Sequence, residues 1–211
     1  MQGFLKFLAW VVGIAAGICA ILYVGLLDVW TTPTDDAEFV VSIEPTLSGG
    51  DTVLFMRHGV PGIPDLVRCD DPDAPGRFVV GRIVGGCRDS ISISSESLTV
   101  NGSHAPAPRA CVTPRITLRN PATDEDEELS CRQQEYAGIT FDSVSQADHP
   151  EPPRSTVVPD GQVYLLSDNR HMHLDSRDFN ALDPHTCKHI VFRLWSRLGW
   201  GDSARRFSFI P

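Results

Sequence analysis

Basic side chains are scarce in this 211-residue chain, and lysine is almost absent. Two lysines, Lys6 and Lys188, accompany sixteen arginines, and the formal net charge is -9. Nucleic-acid-binding domains carry clustered positive charge, so nucleic acid is not an expected partner. The densest charge is the acidic run at residues 124–128. We interpret it as a solvated loop, with a surface for a basic partner as the alternative.

Cysteine pairs with zinc-finger spacing are also missing, so no metal or other cofactor is expected. One cysteine lies in an apolar N-terminal segment and five lie beyond it. In an extracytoplasmic domain, cysteines generally form disulfides. Proximity in the sequence suggests Cys69 with Cys87 and Cys111 with Cys131, which leaves Cys187 free.

A single long apolar run occupies residues 4–27, interrupted by Lys6. About 20 such residues span a bilayer as a helix. Lys6 is at the start of the run and Asp28, Asp35 and Asp36 follow it, so the positive-inside rule places residues 1–3 in the cytoplasm. We expect a single-pass protein of the inner (cytoplasmic) membrane whose remaining chain is periplasmic or extracytoplasmic.

A cleaved secretory signal is the alternative interpretation of the same run. Its apolar core exceeds the roughly 7 to 15 residues of a signal peptide, and no small-x-small cleavage site ends it. A retained anchor is therefore favoured, with the lipid bilayer as a partner.

No long amphipathic helix follows the anchor. After a polar linker at residues 28–38, short runs rich in β-branched and aromatic residues alternate with turn residues. The predicted strands are 51–57, 77–84, 90–93, 98–100, 112–118, 129–136, 163–166 and 190–195, with a hairpin turn at Asn101-Gly102. Two stretches, 60–76 and 141–160, show no pattern. The fold class is therefore mostly β and barrel-like.

Two polar segments stand out against this β pattern. One runs from Ser167 to Arg177 directly after an apolar strand, and the other is Ser42-Ile43-Glu44-Pro45-Thr46, followed by a Gly50-Asp51 strand start. Taken alone, the first could be a solvated loop with local salt bridges. Together, the two segments resemble the boxes of the type I signal peptidase family, which are membrane-anchored serine proteases.

The resemblance covers about residues 1–197 and implies a domain organisation. It divides the soluble part into a β-barrel domain of the signal peptidase type at residues 39–93 and 158–211, and a smaller inserted β subdomain at 94–157. Ser42 corresponds to the nucleophile of the family. Further matching positions support the site: Asp168, Asn169, Asp175, Ser176 and Arg177.

The catalytic lysine of the family falls on Gly81, so the base that would activate Ser42 is missing. Arg82 cannot replace it, since a guanidinium does not lose its proton. The family serine that contacts that lysine corresponds to His173. We hypothesise that His173 is the replacement base and occupies space left by Gly81, with Asp175 orienting it or binding Arg177. His171 is expected to be exposed, with a secondary base role as the alternative.

The resemblance also implies substrates and a pocket for them. Exported preproteins or peptide segments are the expected partners, with Ile43, Pro45 and Val40 near the substrate pocket and the backbone N–H of Ser42 binding the oxyanion. Ile43 has a core position as its alternative. The alternative function is a catalytically inactive homologue that binds peptides or serves as a scaffold subunit of a membrane complex.

Overall fold

The computed structural model describes residues 2–94, 97–146 and 152–211, so residue 1 and parts of the predicted insertion lie outside the described residues. The chain begins with helix α1, Gln2–Gly25, in which residues Gly3–Ile21 are long and apolar enough to cross a membrane, and none of that span is buried. Strands make up 43% and helices 17% of the structure. The mostly-β prediction with an N-terminal apolar helix is confirmed, whereas closure into a barrel stays a prediction.

Short strands follow the helix in the order that the alternating pattern indicates. The elements after α1 are β1 (Leu27–Thr31), α2 (Ala37–Ser42), β2 (Thr52–Met56), β3 (Leu66–Asp70), β4 (Phe78–Gly85), β5 (Ser90–Ile93), β6 (Leu98–Val100), β7 (Ser103–His104), β8 (Arg109–Asn120), β9 (Glu125–Tyr136), β10 (Ile139–Ser145), β11 (Arg154–Val157), β12 (Tyr164–Leu166), α3 (Ser176–Phe179), a 3-10 turn (Pro184–Thr186), β13 (Cys187–Trp195) and β14 (Ser208–Phe209). Asn101 and Gly102 both have positive φ, which suits the predicted hairpin turn between β6 and β7.

The strands within the described ranges form three antiparallel sheets. The largest has the order β1-β2-β13-β3-β4-β12, with β14 added to β13. The others are β10-β9-β8 and β11-β5-β6-β7. Because β11 pairs with β5, the last residues of the predicted insertion, 154–157, pair with a strand that precedes it. The boundaries of that insertion stay a prediction.

Alternation along β4 separates two apolar clusters, since successive side chains of a strand face opposite sides. Val80 packs with Phe39 and Ile43 of the Ser42 segment. Val79 and Ile83 pack instead with Leu165 of β12. Gly81 lies between Val80 and Arg82, so it belongs to the face of Val79 and Ile83. The helix that carries Ser42 therefore lies on the other face.

Three segments differ from their predicted structures. Residues 28–38 are not simply a linker, because β1 pairs with β2 along its whole length and α2 begins at Ala37. Trp30 of β1 packs edge-on against Phe39 and Phe78, which anchors this strand in the sheet. The patternless stretch 60–76 contains β3, and the stretch 141–160 contains part of β10 and all of β11. Prolines and aspartates near these short strands interrupt the alternation of polar and apolar residues that predicts a strand.

One predicted disulfide is correct and the other is wrong. Cys111 and Cys131 are bonded as expected. Cys69 is bonded to Cys187 rather than to Cys87, which is free and exposed. The reason is the antiparallel register of β3 and β13, which places Cys69 and Cys187 directly opposite each other. Proximity in the sequence does not reveal this pairing, since 118 residues separate the two cysteines.

Candidate active site

Ser42 is the last residue of a short helix whose beginning is capped by Asp36. The Asp36 carboxylate accepts a hydrogen bond from Phe39 N at 3.0 Å, as expected of an N-cap. Phe39 and Ser42 both face inward, and Ser42 is 0% exposed. Its hydroxyl donates to the Phe39 carbonyl oxygen at 2.8 Å. The candidate nucleophile is therefore held inside the fold by a backbone carbonyl, which cannot act as a base at neutral pH.

Asn169 joins the Ser42 segment to the second box. Its side-chain nitrogen donates to the carbonyl oxygen of Val41 at 2.9 Å, and its oxygen accepts from the backbone N–H groups of His171 and Met172. Asn169 is 0% exposed. One amide thus fixes the backbone next to Ser42 and the turn that leads to His173.

Asp168 provides a second connection between the boxes. Its carboxylate, 2% exposed, accepts from Arg82 Nε at 2.9 Å and from the Thr46 hydroxyl at 2.5 Å. The Arg82 guanidinium, also buried, lies 4.1 Å from the Phe141 ring centroid and donates to the Pro211 carbonyl oxygen. Two buried opposite charges with these hydrogen bonds hold the loop after Ser42 against β4.

Asp175 and Arg177 form a second buried ion pair. The Asp175 carboxylate accepts from Arg177 Nη2 at 2.8 Å and from Ser167 N at 2.8 Å, and it also caps α3. Burial by itself would raise the pKa of Asp175, but the charge and hydrogen bonds of Arg177 outweigh burial and lower it. Asp175 thus binds Arg177, the second of the two roles considered for it. Ser176 Oγ accepts from Leu165 N, which fixes α3 to β12.

His173 is oriented by Asp178, which the sequence analysis missed. His173 Nδ1 lies 2.8 Å from Asp178 Oδ2, and the imidazole is 11% exposed. Asp178 also accepts from Asp175 N, so it completes the capping box of α3. The Asp-x-x-Asp spacing at 175 and 178 is the sequence signal that could have revealed it. A carboxylate at Nδ1 favours the tautomer with Nε2 unprotonated, the form that accepts a proton.

The expectation that His171 is exposed is wrong. Its side chain is 23% exposed, and Nε2 lies 2.9 Å from Glu127 Oε2. The hydrogen bonds from Asn120 and then His171 lower the pKa of Glu127. The acidic run is not a loop as predicted, because residues 125–128 begin strand β9 and pair with β8. Glu127 binds the second box, whereas its neighbours Glu125, Asp126 and Glu128 are largely solvated.

The space expected at Gly81 does not exist. A Cβ at Gly81 would lie 3.3 Å from Leu165 Cβ and 3.3 Å from the Leu166 carbonyl carbon and oxygen. These distances are shorter than ordinary van der Waals contact, because β12 packs closely over this position. The hypothesis that His173 fills a hole left by Gly81 is therefore wrong. Any catalytic role of His173 has to arise from its own position.

Restoring the family lysine should therefore damage the fold without creating a base. We expect Gly81→Ala to lower the free energy of unfolding by about 1 to 3 kcal/mol, since overpacking forces backbone shifts, and Gly81→Lys to lower it at least as much. Gly62→Ala is the matched control, because Gly62 is exposed and a Cβ there meets nothing within 4 Å. Urea unfolding of the three variants measures the difference. A Gly81→Lys variant with native stability would contradict the packing argument.

The predicted site residues come together only in part. The supporting residues are all buried, but within the described part of the chain only Asp168 and Asn169 bond to the Ser42 segment, through Thr46 and Val41. Among the described residues, no hydrogen bond joins the Ser42 hydroxyl to His173, since that hydroxyl donates to Phe39 O. The Ser42–His173 pair stays a prediction, because catalytic hydrogen bonds of unliganded sites are often formed only when substrate binds.

The three predicted pocket residues do not share a cavity. Ile43 is 3% exposed and belongs to the core. Pro45 lines a cavity of about 340 Å³ together with Thr46 and Arg193. Val40 lines another, of about 320 Å³, on the side of Glu44 and Asp51. Two separate cavities, rather than a single pocket, therefore lie beside the segment around Ser42.

Among the described residues, the candidate metal-ion groups are the His173 cluster and the group formed by the Cys111–Cys131 disulfide with Asp142. Donor atoms of His173, Asp175 and Asp178 lie within 4.8 Å of one another. However, Asp175 is already bonded to Arg177, whose positive charge opposes a second cation there. The cysteines of the other group are bonded to each other and are not thiolate ligands.

Comparison with known proteins agrees with this architecture. The family model described as signal peptidase, peptidase S26, matches residues 6–193. Signal peptidase IB of Staphylococcus aureus strains N315, MW2 and COL is 26% identical to this chain over 200 residues, which cover 90% of each chain. Because the family model matches most of the sequence, the chain belongs to the signal peptidase family, peptidase S26.

Proposed function

We propose that this protein is a membrane-anchored serine endopeptidase that removes signal peptides from exported proteins, with Ser42 as nucleophile and His173 as base. The observation that supports it best is the contact between His173 and Asp178, in a box that Asn169 holds against the residue before Ser42. A nucleophile, a base and a carboxylate that orients the base are the parts that acyl transfer requires.

The reaction follows from these parts. The Ser42 hydroxyl turns away from Phe39 O and gives its proton to His173 Nε2 as Oγ attacks the scissile carbonyl carbon. The backbone N–H of Ser42 donates to the oxyanion. Protonated His173, stabilised by Asp178, gives the proton to the leaving amine, and the C–N bond breaks to leave an ester on Ser42. Water then attacks that ester while His173 accepts its proton, the C–O bond to Ser42 breaks, and His173 returns the proton to Oγ as the peptide leaves with a new carboxyl end.

The anchor determines where cleavage occurs. Helix α1 would cross the inner membrane with Lys6 toward the cytoplasm, and the β domain would lie on the periplasmic or outer side. Only Leu26 separates α1 from β1, so the β domain stays close to the bilayer. Substrates whose signal peptides are still in the membrane would therefore reach it.

A specific observation favours a second candidate, a non-catalytic homologue that binds exported peptides. Ser42 is fully buried and bonded to Phe39 O, and the position of the family lysine is closed by β12. Such a protein would use the same surface without cutting the chain.

Incubation of the detergent-purified chain with a preprotein distinguishes the two candidates. The proposed peptidase should cut once, after the signal peptide, and Ser42→Ala should not cut. Ser103→Ala, at an exposed serine of β7, is the control for substitution itself. Binding without cleavage by the unmodified chain would support the second candidate and reject the first.

A further inference from the structure

The cavity beside Val40 and Glu44 lies next to the nucleophile in the chain but has no role in the proposed reaction. Val40 and Glu44 lie two residues before and two residues after Ser42, and both line this cavity of about 320 Å³. Ser48 and Asp51 line it from the segment before β2, and residues 196–205 contribute the remaining wall. A substrate bound at Ser42 would therefore pass near its opening.

Asp51 leaves a buried oxygen without a partner at this cavity. The side chain is 0% exposed, and Oδ2 lies 3.2 Å from Arg193 Nε and 3.2 Å from Arg205 Nη2. Asp51 Oδ1 has no hydrogen-bond partner within the described ranges. A buried acceptor without a donor costs free energy, so a hydrogen-bond donor that enters the cavity would be stabilised there.

Glu44 adds a second carboxylate, which forms no salt bridge with any of the described residues. Among the described residues, no Lys, Arg or His nitrogen lies within the 4.0 Å of an ion pair from it, whereas both nearby arginines contact Asp51. Burial raises the pKa of Glu44 and outweighs the hydrogen bond with Ser48 and the charge of Arg205, which lower it. A partly desolvated carboxylate without a directly bonded cation gains from a cation that binds in the cavity.

The walls fit an elongated cation better than a metal ion. Val40 and Leu198 provide apolar contact for a methylene stem, and Glu44 and Asp51 provide acceptors for its charged end. Arg197 and Arg205 also line the cavity, but the Arg205 guanidinium is paired with Asp51, and the Arg205 backbone N–H donates to Asp202. The chain as a whole, at -9, attracts positive ligands.

We infer that this cavity is a specificity subsite for a lysine or arginine side chain of the exported substrate, close to the scissile bond. The inference rests on the proposed function for its substrate class, but it concerns binding, not chemistry. Ammonium or guanidinium N–H groups would donate to Glu44 and to Asp51 Oδ1. Substrates with a basic residue at the matching position would then bind in preference to those with an uncharged one.

Peptide binding to the Ser42→Ala variant tests the subsite without requiring cleavage. The probes are fluorescent peptides that span the cleavage site of an exported preprotein, with lysine or norleucine placed in turn at each position near the scissile bond. At one position, lysine should bind about tenfold more tightly than norleucine, which corresponds to one charge-assisted contact. Adding Glu44→Gln should remove that preference, while norleucine peptides should bind as before.

Glu38→Gln is the matched control, since Glu38 lies exposed on the same helix α2 and does not line the cavity. It should retain the lysine preference. Equal affinity for lysine and norleucine at every position, absence of binding, or a preference that survives Glu44→Gln would each overturn the inference. Cleavage by the unmodified chain is assayed separately, so a chain that binds lysine peptides selectively and cuts none refutes only the peptidase proposal.

Discussion

Replacing Ser42 or His173 by alanine should each lower the rate of preprotein cleavage by about 10³-fold or more, and the double variant should lose no more than either single one. This non-additivity is expected because a nucleophile and its base act as a unit, so removing one makes the other useless. Single-turnover cleavage, with the enzyme in excess, measures the effect on the chemical step.

Two further variants separate the base role of His173 from a structural one. His173→Gln retains a side chain that can donate to Asp178 but cannot accept the proton of Ser42, so it should fold normally and be as inactive as His173→Ala. His171→Ala removes the neighbouring imidazole, which is bonded to Glu127, and should retain most of its activity. Substantial cleavage by His173→Gln would contradict the proposed base.

Replacing Asp175 by alanine should lower the free energy of unfolding by about 3 to 5 kcal/mol, because it leaves the buried Arg177 guanidinium without its carboxylate. Both side chains are almost completely buried, at 0% and 1% exposed. Asp160→Ala removes the carboxylate of an exposed pair with Arg88 and should leave the unfolding midpoint unchanged. Equal effects of the two substitutions in urea unfolding would contradict a structural role for the buried pair.

The same pair predicts how stability depends on pH. Arg177 holds the pKa of Asp175 below its ordinary value despite the opposing effect of burial, so the unfolded chain binds this proton more readily than the folded one. The stabilisation is therefore complete above the ordinary aspartate pKa and is lost as the pH falls toward the lowered folded value. The Asp175→Ala variant should lack this part of the acid dependence.

The sequence is most informative where chemistry restricts the residue type. The boxes around Ser42 and Asp168 indicate the family because each holds polar residues of restricted type at a characteristic spacing, the first at the end of α2 and the second directly after β12. The N-terminal helix is equally evident from its unbroken apolar run. These features depend on local patterns, and the structure retains them.

Features that depend on packing between distant segments were missed or mispredicted. The Cys69–Cys187 bond arises from the pairing of β3 with β13, which no local pattern reveals. The closed contact at Gly81 depends on β12, whose register on β4 shifts between Tyr164 and Leu165. Asp178 was missed because it lies beyond the family box, although its capping-box spacing could have been recognised.

The most direct test of the account is the pH dependence of kcat/KM for preprotein cleavage between about pH 5 and 9. For the unmodified chain we predict that kcat/KM rises with pH, because a general base works only after it has lost its proton. His173→Ala should abolish the rise together with the activity. A kcat/KM that does not change with pH, or a rise that persists in His173→Ala, would contradict the assignment of His173 as the base for Ser42.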